Sequence, residues 1–267
     1  MRRFSGAFLF LKKINKCIGL LGMGALLAAA PTMAQETMPN KDPEPYELGK
    51  FQVNTRVEVF LDITCNDNSI NQSEDHYYSI AYDKLLKDYP QPGYSTLNIN
   101  MFTGGANCCN GYYLLTSSDK DSYAAYIEPG DYYLVWQDNR YVISDPYFMY
   151  YSPEFATDKI AFNRVNSPRM NRLLVFENKQ WRTDKPGEFP DYYKQQLSEL
   201  ADAKDMDPLA NAIVKAYYTL MSGQSVEAVR TQFTASPIKE YQAYYPQIFE
   251  DITKAINYNP VKNIGCR

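Results

Sequence analysis

Histidine occurs once in 267 residues, at His76, and that scarcity removes several chemistries at once. A zinc site built on two or three imidazoles cannot be assembled, nor can the His-Glu-x-x-His helix. No Gly-x-Ser-x-Gly elbow accompanies the histidine, and no cysteine is left free of disulfides to pair with it. A phosphate loop of the Gly-x-x-x-x-Gly-Lys type and a Rossmann glycine fingerprint are both missing. His76 then reads as a polar surface or capping residue, and neither a cofactor nor a metal is expected. Long apolar runs are equally scarce. The longest, Cys17–Ala30, is about fourteen residues, short of the roughly twenty that span a bilayer.

That run has a different use. It follows five basic residues (Arg2, Arg3, Lys12, Lys13, Lys16) and precedes Pro31 and the small-residue stretch Thr32-Met33-Ala34. Charged, apolar and small segments in that order are the pattern of a secretory signal, so residues 1–34 are expected to be removed and the protein exported to a periplasm or beyond. Arg2-Arg3 is followed by Phe4-Ser5-Gly6, a poor fit to the twin-arginine route, and no cysteine at the cleavage point accepts lipid. The whole chain carries a charge of −4; without its leader it holds 22 Lys+Arg against 31 Asp+Glu, about −9. Such a balance argues against nucleic acid and against anionic lipid surfaces. Basic partners, and uncharged ones such as a glycan, remain open.

Four cysteines survive cleavage: Cys65, Cys108, Cys109 and Cys266. In an oxidising compartment they act as staples, with three possible pairings. Adjacent Cα atoms lie about 3.8 Å apart, below the usual disulfide range, which disfavours Cys108–Cys109. The favoured solutions join Cys65 to one of that pair and Cys266 to the other. Metal or redox use of Cys108-Cys109 lacks both the Cys-x-x-Cys spacing and helping histidines.

The chain divides by period. Residues 35–45, with Pro39, Pro43 and Pro45, form an extended lead-in. From Phe51 to Cys65 the odd positions are apolar or Thr (Phe51, Val53, Thr55, Val57, Val59, Leu61, Ile63, Cys65) and the even ones mostly polar. A period of two means one strand, or two joined by a bend, with one buried face. A short helix is expected over His76–Asp88. Further strands are expected at Ser95–Phe102, Tyr112–Thr116, Ser122–Ile127, Tyr132–Gln137, Tyr141–Ser144, Lys159–Val165 and Arg172–Glu177. Glu128-Pro129-Gly130-Asp131 has the chemistry of a type II turn, and Pro129–Trp136 is similar to turns in many small extracytoplasmic β-sandwich domains. Near Pro186 the period changes. Asp207-Pro208 and Ser225 read as helix starts, Gly223 as a stop, and Pro246 as another start. The expected fold is α+β: an antiparallel β-sandwich-like domain over 46–184, a small helical domain over 187–260, and a tail, 261–267, that Cys266 can staple.

Loop 66–75 resembles a calcium loop only superficially, since Gln72 and Tyr78 stand where glycine and a bidentate glutamate are needed. What the chain does have is tyrosine: 24 residues, with seven adjacent pairs. On a strand, adjacent residues face opposite sides, so each such pair turns one ring outward, onto a surface suited to protein contacts or sugar stacking. Asp145–Pro153 concentrates this feature in Tyr147, Phe148, Tyr150 and Tyr151, which are expected to bind a partner unless the helices cover them. These features favour binding over catalysis, with a protein partner first, as in an inhibitor, immunity or envelope accessory protein. A glycan-active protein, whether binding module or Asp/Glu glycosidase, comes second. Aromatic rings flanking carboxylates in one cleft would mark the second; a flat aromatic patch would mark the first.

Overall fold

The computed structural model describes residues 46–56, 60–71, 77–83, 85–104, 110–130, 132–145, 147–148, 167–201, 207–235 and 239–266. The leader, His76, Cys108, Cys109, Tyr150, Tyr151 and the strand expected at Lys159–Val165 lie outside these residues. The fold is α+β, with antiparallel sheets and the helices towards the C-terminus.

The alternating segment folds back on itself. β1 (Tyr46–Leu48), β2 (Phe51–Arg56), β3 (Phe60–Cys65) and β4 (Asn68–Ser69) form the first sheet. Phe51 pairs with Cys65, Val53 with Ile63 and Thr55 with Leu61, so the odd positions share one face. Asn66 and Asp67 both take positive φ (50° and 63°), as a tight two-residue hairpin turn requires.

β5 (Ser79–Tyr82), β6 (Leu86–Lys87), β7 (Ser95–Phe102), β8 (Asn110–Ser117) and β9 (Ser122–Gly130) belong to the second sheet. Two expectations fail here. The helix over His76–Asp88 is absent: Ile80 pairs with Met101, Tyr82 with Ile99 and Leu86 with Thr96. Unpaired ladder groups on the edge of β7 outweigh a weak helical spacing. The type II turn at Pro129-Gly130 does not form either, because β9 runs through Gly130 and that glycine stays out of the positive-φ region. Gly111 makes room for the Pro129 ring; a Cβ there would meet Pro129 Cγ at 3.0 Å.

β10 (Tyr133–Gln137), β11 (Arg140–Asp145), β12 (Met170–Glu177) and β13 (Gln180–Thr183) make the third sheet. The centre of the second sheet, β7 to β9, is buried on both faces. Leu97, Ile99, Tyr113 and Leu115 meet Phe51, Val53, Leu61 and Ile63 of the first sheet. Tyr112, Leu114, Ala125 and Ile127 meet Leu134, Tyr141, Ile143, Leu174 and Trp181 of the third. Burial from both sides explains why β8 is buried at every position but its first.

Four α-helices follow among the described residues: α1 (Pro190–Ala201), α2 (Pro208–Met221), α3 (Val226–Thr234) and α4 (Tyr245–Asn257). Asp207 caps α2, its Oδ1 accepting from Leu209 N at 2.8 Å and Ala210 N at 3.1 Å. Gly223 (φ 95°) lets the chain turn after α2, and Ser225 Oγ accepts from Ala228 N at 3.3 Å to start α3. Ile213, Tyr217, Phe233, Tyr245, Ile248, Phe249 and Ile252 form the helical core. None of the described helices is long and apolar enough to cross a membrane.

The tail is a strand. β14 (Val261–Ile264) pairs with β9, and its Asn263 reaches the other way. Asn263 Oδ1 accepts from Trp181 N, and its Nδ2 donates to Trp181 O, both at 2.8 Å. Asn259 Oδ1 accepts from Thr183 N at 3.3 Å. Two asparagine side chains thus satisfy the outer edge of β13, where a strand would otherwise be needed. Replacing Asn263 by Ala leaves both Trp181 backbone groups without these partners. The expected loss is about 2–3 kcal/mol, seen in denaturant unfolding together with faster amide exchange at Trp181; unchanged exchange would contradict this role. Cys266 lies just past β14 and bonds to Cys65, their Cα atoms 5.5 Å apart. This corrects the expected pairing through Cys108 or Cys109. Sequence separation said nothing of β14, the element that brings the two ends together.

Candidate functional site

β10 and β11 join through Asp138-Asn139, both at positive φ (50° and 59°), with Gln137 paired to Arg140. The outer face of this hairpin looks onto the start of α1. Gly187 (φ 79°) turns the chain there, its amide donating to Met221 O at 2.9 Å, and Pro190 opens the helix with a preset φ. Between hairpin and helix lies an open cleft of about 500 Å³. Phe189 and Tyr192 supply half-buried rings, Asp138, Glu188 and Asp191 carboxylates, Gln137 and Gln195 amides, and Arg140 a guanidinium.

Charges around the cleft are mostly compensated in pairs. Arg182 holds Glu188 through two hydrogen bonds of 2.8 Å, and Lys185 N adds a third at 3.0 Å. The Arg182 contact dominates and keeps the Glu188 carboxyl below its ordinary range despite partial burial. Asp191 pairs with Lys194 at 3.3 Å on the surface. Asp138 accepts a 3.4 Å hydrogen bond from the Gln137 amide. Arg140 is different. Its guanidinium lies over the Phe189 ring, 5.3 Å from the centroid, and no carboxylate of the described residues pairs with it. Burial raises the Tyr192 hydroxyl above its usual range, so it stays a neutral donor.

The aromatic segment singled out from sequence lies elsewhere. Phe148 is completely buried in the helical core, and half-buried Tyr147 packs against that core with its ring 6.4 Å from that of Tyr258. The helices therefore cover Phe148 fully and Tyr147 in part, while Tyr150 and Tyr151 lie outside the described residues. In the loop after β3, Asn71 serves the backbone: its Oδ1 accepts from Ile63 N at 2.8 Å and its Nδ2 donates to Leu61 O at 2.6 Å. Among the described residues, no group of three His, Cys, Asp or Glu could hold a metal ion.

The cleft residues went unread in the sequence because Arg140 and Phe189 lie far apart in the chain. A local signal does exist in Asp138-Asn139, two residue types that tolerate positive φ, but it marks the hairpin and not the cleft. Large apolar side chains are also exposed on β10: Tyr133 (37%), Val135 (49%) and Trp136 (39%). No protein-family model, curated protein or solved structure matches this chain.

Proposed function

We propose that this is an exported carbohydrate-binding protein whose ligand lies in the cleft between the β10–β11 hairpin and α1. One observation carries the reading: a single concave site combines two aromatic rings with planar carboxylate, amide and guanidinium groups. Rings present a face to the apolar C–H side of a sugar, while planar polar groups hydrogen-bond to its hydroxyls. Binding is favoured over hydrolysis. A glycosidase needs a carboxylic acid held protonated by a raised pKa, whereas Glu188 is shifted the other way. Export rests on the leader, and the Cys65–Cys266 disulfide fits an oxidising compartment.

The test is a glycan array probed with the mature protein, followed by titration of any hit against Phe189→Ala and Gln195→Ala. Each variant should weaken binding roughly five- to thirtyfold, since each removes contacts on the order of 1–2 kcal/mol. Unchanged affinity in both would move the site out of the cleft. N-terminal sequencing of protein from the envelope fraction should start at Gln35.

A protein partner is the second reading, and the edge of β10 favours it. In a two-residue hairpin the residues flanking the turn bond to each other, so Leu134 and Trp136 turn their backbone groups away from β11. The Tyr112 hydroxyl occupies part of that edge, donating to Tyr132 O and accepting from Leu134 N, both at 3.2 Å. The rest, beside exposed Val135 and Trp136, could accept an extended segment. A stoichiometric partner lost on Val135→Lys, with no array hit, would favour this reading.

A further inference from the structure

We infer that the cleft selects acidic sugars, with Arg140 taking the carboxylate of a uronate residue; this rests on the carbohydrate reading above. The argument starts from what each charged group near the site is already doing. Arg182 is held by Glu177 at 2.9 Å and Glu188 at 2.8 Å, and Lys194 by Asp191 at 3.3 Å. Arg140 lines the same cleft without a carboxylate among the described residues. Its guanidinium lies over a ring face, 5.3 Å from the Phe189 centroid. Stacking occupies the flat side of a guanidinium and leaves its in-plane N–H donors for a second partner. The partner such a fork fits best is a carboxylate, bound by two parallel hydrogen bonds.

The surroundings support this placement. Pro190 opens α1 at the same cleft, and a helix N-terminus carries partial positive charge. Glu188 and Asp191 are each paired with a neighbouring cation, which leaves Asp138 as the one lining carboxylate among the described residues without a cation to set against Arg140. Asp138, held only by the Gln137 amide, remains as an acceptor for ring hydroxyls. A pyranose with its carboxylate on Arg140 can then use Asp138, Gln137 and Gln195 for hydroxyls and Tyr192 for stacking. A neutral sugar would leave the guanidinium without its complement.

Isothermal titration of the mature protein with galacturonate and mannuronate oligosaccharides, each beside its methyl ester, tests this. At least one uronide should bind roughly ten- to a hundredfold tighter than its ester. Arg140→Gln should erase that preference, and Arg140→Lys should restore part of it, because charge returns without the fork. Matched melting curves would show that the variants are folded. An ester or neutral oligosaccharide that binds as tightly as any uronide would overturn the inference and leave the carbohydrate reading standing. A uronide preference that survives Arg140→Gln would also overturn it. Failure of every uronide, ester and arrayed neutral glycan to bind would remove both.

Discussion

Replacing Cys65 and Cys266 together by alanine is expected to lower the unfolding free energy by about 5 kcal/mol. The bond closes a separation of 201 residues, and the chain-entropy model assigns about that much to so long a loop. Cys65 is completely buried in the core between the first and second sheets, and Cys266 packs against the same core. Loss of the bond therefore also loosens β14 and the asparagine contacts to β13. For a protein of this size the melting temperature should fall by roughly 10–20 °C, and reduction of the native protein should produce much of the same drop. A fall of less than about 1 kcal/mol, or peptide mapping that joins Cys65 to Cys108 or Cys109, would refute the assignment.

The second large effect centres on a buried charge cluster between the third sheet and the helices. Arg172 on β12 and Asp184 just after β13 are almost fully buried, with Arg172 Nε 3.5 Å from Asp184 Oδ1. That is ion-pair range without hydrogen-bond geometry. The Tyr193 hydroxyl on α1 donates to Asp184 Oδ2 at 2.6 Å, and Leu173 N to Oδ1 at 3.2 Å. Arg172 also donates to the carbonyls of Asp184 and Tyr258, the latter at 2.8 Å. Burial is the strongest influence on Asp184 and pushes its carboxyl up to about 6 from 3.8, although Tyr193 and Arg172 pull it down. The folded chain then holds this proton more tightly than the unfolded one. The group's contribution to stability is full below pH 4 and is lost as pH rises through 6, a change on the order of 2–3 kcal/mol.

Arg172→Met should therefore cost about 3–5 kcal/mol at pH 8, where it strands an ionised carboxylate in the interior. At pH 5 the cost should be clearly smaller, because Asp184 is then mostly neutral. Urea unfolding of both proteins at the two pH values measures the difference directly. An equal cost at both would mean that Asp184 does not titrate in this range.

Local chemistry made much of the fold legible. Alternation from Phe51 to Cys65 predicted a buried face, and the β2–β3 register pairs those same odd positions. Asp207-Pro208, Gly223 and Ser225 predicted helix boundaries because each acts on its own neighbours. What failed depended on distant partners. β5 and β6 are strands because β7 offers an edge, and β14 exists because β9 and β13 flank it. The cleft was hidden for the same reason: it is assembled from two segments that carry no shared motif, whereas the aromatic density at Tyr147 and Phe148 serves the helical core and Tyr150 and Tyr151 lie outside the described residues.

The placement of β14 also bears on how the chain is made. Synthesis and export both run from the N-terminus, so the strand that joins β9 and reaches β13 follows every other described strand of the two sheets. Until then β9 lacks the partner on its outer edge and β13 lacks its asparagine contacts, a state open to pairing with other chains. Proteolysis or a stop just before Val261 would deprive two sheets of an edge together.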